Sequence, residues 1–388
     1  MRLAGSAYLS LWALAICWLT LACAPKEAEQ VEEVVTTSST VSIIEEPEEF
    51  AGILYPAWNP TTEAGLALGE RLFFDPILSA DSTVSCSTCH LPELAFTDGK
   101  AVSVGIRGRR GQRSSPTLTN IGYNHLQMFW DGRSSSLEEQ AIHPIADPKE
   151  MGSNWPVLVH QLRHHPYYRQ ALVRAFELDG VGEINPDHIA RALAQYQRSL
   201  ISSNSRYDQM VRNEIAFSPL ERRGWAIFFD RAEDPEGTYA GLPTGECAHC
   251  HSAPHFSNQQ FFNNGIDAAP TLTEFADLGL GGISKNVYEN GLFKVPSLRN
   301  IALTAPYMHD GRFNSLEEVI DHYNSGGHYA SNKSPNIRPL GLSATDKEAL
   351  IAFLHSLSDS EFLDEQVQRS LPFRSSVSAQ AIDEQATK

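Results

Sequence analysis

Cys86-Ser87-Thr88-Cys89-His90 and Cys247-Ala248-His249-Cys250-His251 set the architecture of this 388-residue chain. The remaining two of its six cysteines, Cys17 and Cys23, lie in the N-terminal apolar segment. Paired cysteines in an exported protein usually form disulfides. A zinc ribbon sets its two CxxC knuckles only about 15–20 residues apart, far closer than these pairs. The histidine directly after each pair decides the reading. Two thiols three residues apart can form thioethers to the vinyl groups of a haem, and the next imidazole reaches the iron from the same turn. The chain is therefore expected to carry two covalently attached c-type haems, with Cys86, Cys89, Cys247 and Cys250 as attachment points and His90 and His251 as iron ligands.

Each motif heads a related segment. Pro116-Thr117-Leu118-Thr119-Asn120-Ile121 is answered by Pro296-Ser297-Leu298-Arg299-Asn300-Ile301, Asp131-Gly132-Arg133 by Asp310-Gly311-Arg312, and Ser136-Leu137-Glu138-Glu139 by Ser315-Leu316-Glu317-Glu318. From Asp131 onward the offset is a constant 179 residues. Such self-similarity predicts a mainly α fold of two cytochrome c-like haem domains related by an internal repeat. Their expected extents are 51–214 and 215–360, followed by a tail over 361–388. Helical spacing and caps predict helices from Asn185-Pro186 to Ser199, after Ser218-Pro219-Leu220-Glu221, and from Ser343 to Leu357. The Gly/Pro-rich stretches Asp234–Gly245 and Asp267–Gly282 read as loops.

The first 24 residues read as a signal peptide, with an apolar run from Leu9 to Ala22 ending in small residues. Leu19-Thr20-Leu21-Ala22-Cys23 resembles a lipobox that would lipidate Cys23, although Thr20 stands where an aliphatic residue is usual. Ala22-Cys23-Ala24 also fits ordinary cleavage. Residues 25–50 are acidic, carry eight Glu and lack any period, and are expected to form a disordered linker that suits a tether. No later stretch is apolar for long enough to span a bilayer. The location implied is periplasmic, with a lipid anchor through Cys23 favoured. A formal net charge of -17 argues against a nucleic-acid partner.

The repeat also bears on the far side of each iron. A helix capped at Asn314 or Ser315 places Leu316, Val319, Ile320 and Tyr323 on one face. The mate of Tyr323 in the first half is Pro144, which has no group that can bind a metal. On spacing alone Tyr323 fits a core residue better than a ligand; His322, its mate His143, and Met308 are rivals. Glu150 by itself reads as a solvated loop acid. Arg107, Arg109, Arg110 and Arg113 fit either partners for haem propionates or a solvated loop. His164, His165 and His255 read as surface histidines.

From about Pro56 to Leu357 the chain resembles the bacterial di-haem cytochrome c peroxidase and MauG family. The resemblance implies that peroxide reacts at the first haem while the second relays electrons. It makes Trp130 the tryptophan between the haems, and it makes Gln140, Pro144 and Glu150 a distal trio. Glu150 would act as proton shuttle and Gln140 as the residue that orients the ligand. Tyr323 falls where the second haem takes its distal ligand, a Met in many peroxidases of the family and a Tyr in the MauG branch. Ile106 stands where many members place a His that closes the first haem at rest, so an open first iron is implied. Thr304 and Pro306 match carbonyl donors to a calcium ion between the domains, but Ser114 stands at the Asn position. The main function implied is peroxide reduction with electrons from a small cytochrome c or cupredoxin. The alternatives are a MauG-like oxidase acting on aromatic residues of a partner protein, and a non-catalytic electron carrier. A homodimer is a candidate assembly.

Overall fold

The computed structural model describes residues 43–50, 52–233 and 237–386. The signal peptide, Cys23 and most of the acidic spacer lie outside the described residues. Both haem motifs fall within one compact unit that begins at residue 42. Along its first half run α1 (Glu63–Phe74), α2 (Cys86–Cys89), α3 (Leu137–Ala146), α4 (Trp155–His164), α5 (Tyr168–Ala175), α6 (Pro186–Arg198) and α7 (Arg206–Val211). The second half carries α8 (Pro219–Phe228), α9 (Leu280–Ser284), α10 (Leu316–Ser325), α11 (Ala344–His355) and α12 (Ser360–Ala386). Sheet among the described residues is limited to the antiparallel pair β1 (Phe261–Phe262) and β2 (Phe293–Lys294).

Two helix pairs organise the unit. Thr62 caps α1 by accepting from the Gly65 amide at 3.0 Å, and Leu68, Leu72 and Phe73 form its buried stripe. That stripe meets Ile189, Ala192, Leu193 and Tyr196 of α6. In the second half, Ser218 and Glu221 form the expected capping box of α8, which packs on Leu350, Phe353 and Leu354 of α11. Each pair closes at a glycine. A Cβ on Gly69 would sit 1.9 Å from the Ala192 carbonyl oxygen, and one on Gly224 1.9 Å from that of Ala349. Both contacts are far inside van der Waals distance, so only a bare α-carbon lets the helices approach this closely.

Other local features recur at sequence-matched positions. Asn120 and Asn300 are left-handed, with φ of 58° and 60°. Bridges join Met128 to Ser134 and Tyr307 to Phe313, and Ser136 and Ser315 cap α3 and α10. These matched caps and bridges follow directly from the repeated motifs in the sequence.

Two expectations need correction. The spacer was expected to run to residue 50, but Ile44 and Phe50 are buried with Ile53 and Tyr123. Glu46 accepts from the Ile53 amide at 2.7 Å. Apolar side chains inside an acidic stretch suffice to anchor it once a partner surface exists. The segment 361–388 was expected as a tail. Its helix α12 instead buries Phe362 and Leu363 in the core of the first half. Arg369 pairs with Glu70 and Arg374 with Glu93.

The two halves are fastened at the strand of chain that joins them. Asn120 donates to Ser202 O at 2.9 Å and accepts from Ser202 N at 2.7 Å. Asn300, its mate, donates to Ser202 Oγ at 3.1 Å and accepts from Asp359 N at 2.8 Å. Asp359 in turn takes the amides of Ser203 and Asn204. Arg299, wholly buried, makes a two-pronged bond to Asp208 at 2.9 and 2.8 Å. Burial alone would raise the Asp208 carboxyl, but Arg299 and Ser205 outweigh it and hold it below the usual carboxylate range. The stability this pair contributes is present above the unfolded-state value of roughly 3.9 and is lost as pH falls through the lower folded value. Arg299→Met leaves Asp208 as an uncompensated buried charge. It should destabilise the fold by about 3–5 kcal/mol at neutral pH in thermal or urea unfolding, with the deficit shrinking in acid.

Candidate active site: two cavities that share a tryptophan wall

Each CxxCH stretch lines its own cavity. The first, of roughly 660 Å³, is walled by Cys86, Cys89 and His90 together with Gln140, Pro144 and Glu150. The second, of roughly 200 Å³, is walled by Cys247, Cys250 and His251 together with Met308 and Tyr323. Trp130, Lys294, Val295 and Pro296 belong to both walls.

The proximal geometry is the same in both. The amide of His90 bonds Cys86 O at 3.0 Å and that of His251 bonds Cys247 O at 2.9 Å, so each histidine closes the turn that carries the cysteines. His90 Nδ1 lies 2.8 Å from Phe96 O, and His251 Nδ1 lies 3.1 Å from Phe256 O. Phe96 and Phe256 are both fully buried and both left-handed. An Nδ1–H donated to a carbonyl leaves Nε2 with its lone pair for a metal. Burial favours the neutral imidazole in each case, bringing His251 down to about 4. All four thiols are free, and burial pushes Cys86 and Cys247 up to about 12. Two neutral thiols and one neutral imidazole per cavity are the donor set that covalent haem attachment requires, so the residues present fit the group.

In the first cavity Gln140 and Pro144 sit one turn apart on α3, whose cap Ser136 accepts from Glu139 N at 3.1 Å. Glu150 follows in the turn after the helix, its amide bonded to Asp147 O at 3.0 Å and its carbonyl taking the Ile106 amide at 2.8 Å. Glu150 is not the solvated acid that its local sequence suggests. Burial, then the Asp147 charge, raises its carboxyl, with Arg133 opposing. Ile106 is 3% exposed and packs against Gly152, within a loop closed by the Val104–Arg110 bridge.

In the second cavity Tyr323 is held by the Asn264 amide, which donates to its hydroxyl at 3.2 Å and faces the Met308 sulfur at 3.5 Å. His322 turns away and meets Asn264 O at 3.0 Å. Of the rivals to Tyr323, only Met308 therefore shares the cavity; His143 is exposed on α3.

Trp130 is clamped on both sides of the shared wall. Its Nε1 donates to Ser114 O at 3.0 Å, and its carbonyl accepts from the Lys294 amide at 3.0 Å. Ser114 and Lys294 are themselves matched positions, each two residues before the repeated proline.

Other expected site residues lie elsewhere. Thr304 and Pro306 line neither cavity. The Ser114 hydroxyl donates to Met308 O at 2.9 Å. A hydroxyl so directed, with two carbonyls, makes no protein cage for calcium. The basic run divides: Arg107, Arg109 and Arg110 are exposed, while Arg113 bonds Asp131 and Asp277. His255 is no surface histidine; it stacks on Tyr123 at 4.6 Å, and neither ring nitrogen has a hydrogen-bond partner. Lys294 and Asn264 escaped the sequence reading, although the repeat register to Ser114 marks Lys294.

Because folding favours the protonated Glu150, its ionised form costs stability above the usual carboxylate value. Glu150→Gln should raise the unfolding temperature at pH 7, and the gain should vanish in acid where both states are protonated. Calorimetry of the two proteins across pH measures it.

Comparison with known proteins finds di-haem relatives. A family model described as di-haem cytochrome c peroxidase matches residues 63–216. The methylamine utilization protein MauG of Methylorubrum extorquens is 35% identical over 306 residues, 78% of this chain and 80% of that protein. The cytochrome-c peroxidase IdrP1 of a Pseudomonas species is 34% identical over 79% of this chain and 84% of its own. A solved MauG-like protein associated with microbial copper homeostasis superposes with a TM-score of 0.73 at 33% identity, covering 82% of this chain and 96% of that one.

Proposed function

We propose that this chain, which belongs to the di-haem cytochrome c peroxidase and MauG family, reduces hydrogen peroxide in its first cavity with electrons delivered through the second by a small cytochrome c or cupredoxin. The observation that carries the reading is the asymmetry of the two walls. Glu150 and Gln140 share a cavity with Cys86, Cys89 and His90, and Pro144 stands there at the position that Tyr323 holds in the other.

Haem held by Cys86, Cys89 and His90 would supply the redox chemistry for this reduction, and haem held by Cys247, Cys250 and His251 would pass on the donor's electrons. Reduction of one peroxide consumes two electrons and two protons and yields two waters. Glu150 would move a proton from one peroxide oxygen to the other, so that the departing oxygen leaves as water. Burial and the Asp147 charge raise its carboxyl, which favours a group that holds a proton before giving it. Gln140 orients the peroxide by hydrogen bonding. Pro144 contributes no donor, which keeps the place beside it free for substrate. Trp130, which belongs to both walls, lies on the electron route between the cavities.

Loss of a positioned acid–base group typically costs about 10²–10⁴-fold in rate. Glu150→Gln should slow peroxide consumption by at least about 10²-fold in stopped-flow with reduced cytochrome c, with both haems retained. Unchanged kinetics would remove Glu150 from the mechanism. As distal ligand of the second haem we take Tyr323, supported by the Asn264 bond to its hydroxyl. Tyr323→Phe should alter the low-spin absorption of that haem while Met308→Leu leaves it intact; the opposite pattern would assign Met308.

A second reading, oxidation of aromatic residues of a partner protein, is favoured by the phenol in the second cavity and by the likeness to MauG. Peroxide titration separates the two: rapid turnover with a reduced cytochrome or cupredoxin supports the peroxidase, and slow donor oxidation supports the alternative. Covalent haem attachment goes with export, so we place the protein in the periplasm, with Cys23 as its lipid anchor. No helix among the described residues is long and apolar enough to cross a membrane. We place the boundary between the two haem domains near Arg212–Ser218; each has its own core, with Tyr207 joining the second and Phe362 and Leu363 returning to the first. Calcium at Thr304 and Pro306 would rest on two carbonyls and water, and no step depends on it.

A further inference from the structure

We infer that Lys294 is the shared counter-cation for haem carboxylates at the wall between the two cavities, and that its charge sets the reduction potential of the haem it faces. The inference rests on the di-haem reading and adds to it a residue outside the CxxCH motifs and the distal trio.

Lys294 lies on β2, where the Phe262–Phe293 and Phe261–Lys294 pairing fixes its register. Its amide bonds Trp130 O at 3.0 Å, so the backbone of the lysine is tied to the tryptophan between the cavities. Its side chain lines both cavities. Among the described residues its ammonium has no hydrogen bond and no ion pair. Burial, unopposed by any neighbouring carboxylate, brings it down to about 7. A cation drawn out of water with no partner is costly and implies a missing anion.

The polypeptide does not provide that anion. Arg113, which lines the first cavity alone, is already neutralised by Asp131 and Asp277. The matched residue in the first half is the neutral Ser114, so the repeat gives the shared wall one lysine and not two. Haem is the group for which the proximal residues are built, and it brings two carboxylates of its own. A lysine facing those carboxylates satisfies them without a fixed geometry, which suits a residue that opens onto two cavities at once.

A positive charge beside a haem favours its reduced, less positive state. Lys294→Met and Lys294→Gln should therefore shift the midpoint potential of at least one haem to more negative values, read by spectroelectrochemistry of the purified holoprotein. Lys294→Arg, which keeps the charge, should stay near the wild-type value. Haem content, from the intact mass, is measured on every variant. Two haems with unshifted potentials in both neutral variants overturns the assignment of Lys294 and leaves the di-haem reading standing. A wild-type protein that carries fewer than two haems overturns that reading and Lys294 with it. If Lys294→Met does not fold, the Gln and Arg pair decides alone: equal potentials in the two would exclude a role for the charge.

Discussion

Everything in this fold depends on a knot of buried polar groups at Ser202. Asn120 and Asn300 stand at the same place in two repeated segments, and both reach the one strand of chain between them. Arg299 and Asp208 add a two-pronged ion pair without solvent contact at the arginine. Buried polar groups of this kind are costly unless every one is satisfied, and once satisfied they admit a single arrangement. The knot therefore does more than hold two halves together. By fixing Asn120 and Asn300 it fixes the segments that follow each repeated proline, and these lead into the cavity walls.

The cavities inherit that precision. Each proximal histidine is aimed by a backbone carbonyl from a buried, left-handed phenylalanine, so the imidazole is oriented before any metal arrives. The difference between the cavities arises on the opposite wall, from single side chains: Pro144 against Tyr323, and Gln140 against Val319, with Glu150 beside Gln140 and Pro144 in the first. One repeated pattern thus carries two different distal walls, because it fixes the proximal side and leaves the distal side to a few substitutions.

The cysteine and histidine motifs, the caps at Ser136, Ser218 and Ser315 and the helix at Pro186 were legible because each is a local pattern with a local physical cause. The distal grouping was legible only through resemblance, since Glu150 in a polar turn looks like any exposed acid until the Ile106 loop covers it. Two features could not be read locally at all. Ile44 and Phe50 are sparse apolar residues in an acidic stretch, and their burial depends on Tyr123, far along the chain. The amphipathic character of α12 is weak, and its docking depends on a surface made by α1 and by the turn after the first haem motif. Lys294 was missed for a related reason: a lysine two residues before a proline is unremarkable until the register to Ser114 and the shared wall are both known.

The docking of α12 has a consequence for biogenesis. Phe362 and Leu363 come late in the chain, yet they complete the core around α1 and α6. The N-terminal half is therefore made with an unfinished apolar surface, which stays open until residues 362 and 363 have been added to the chain.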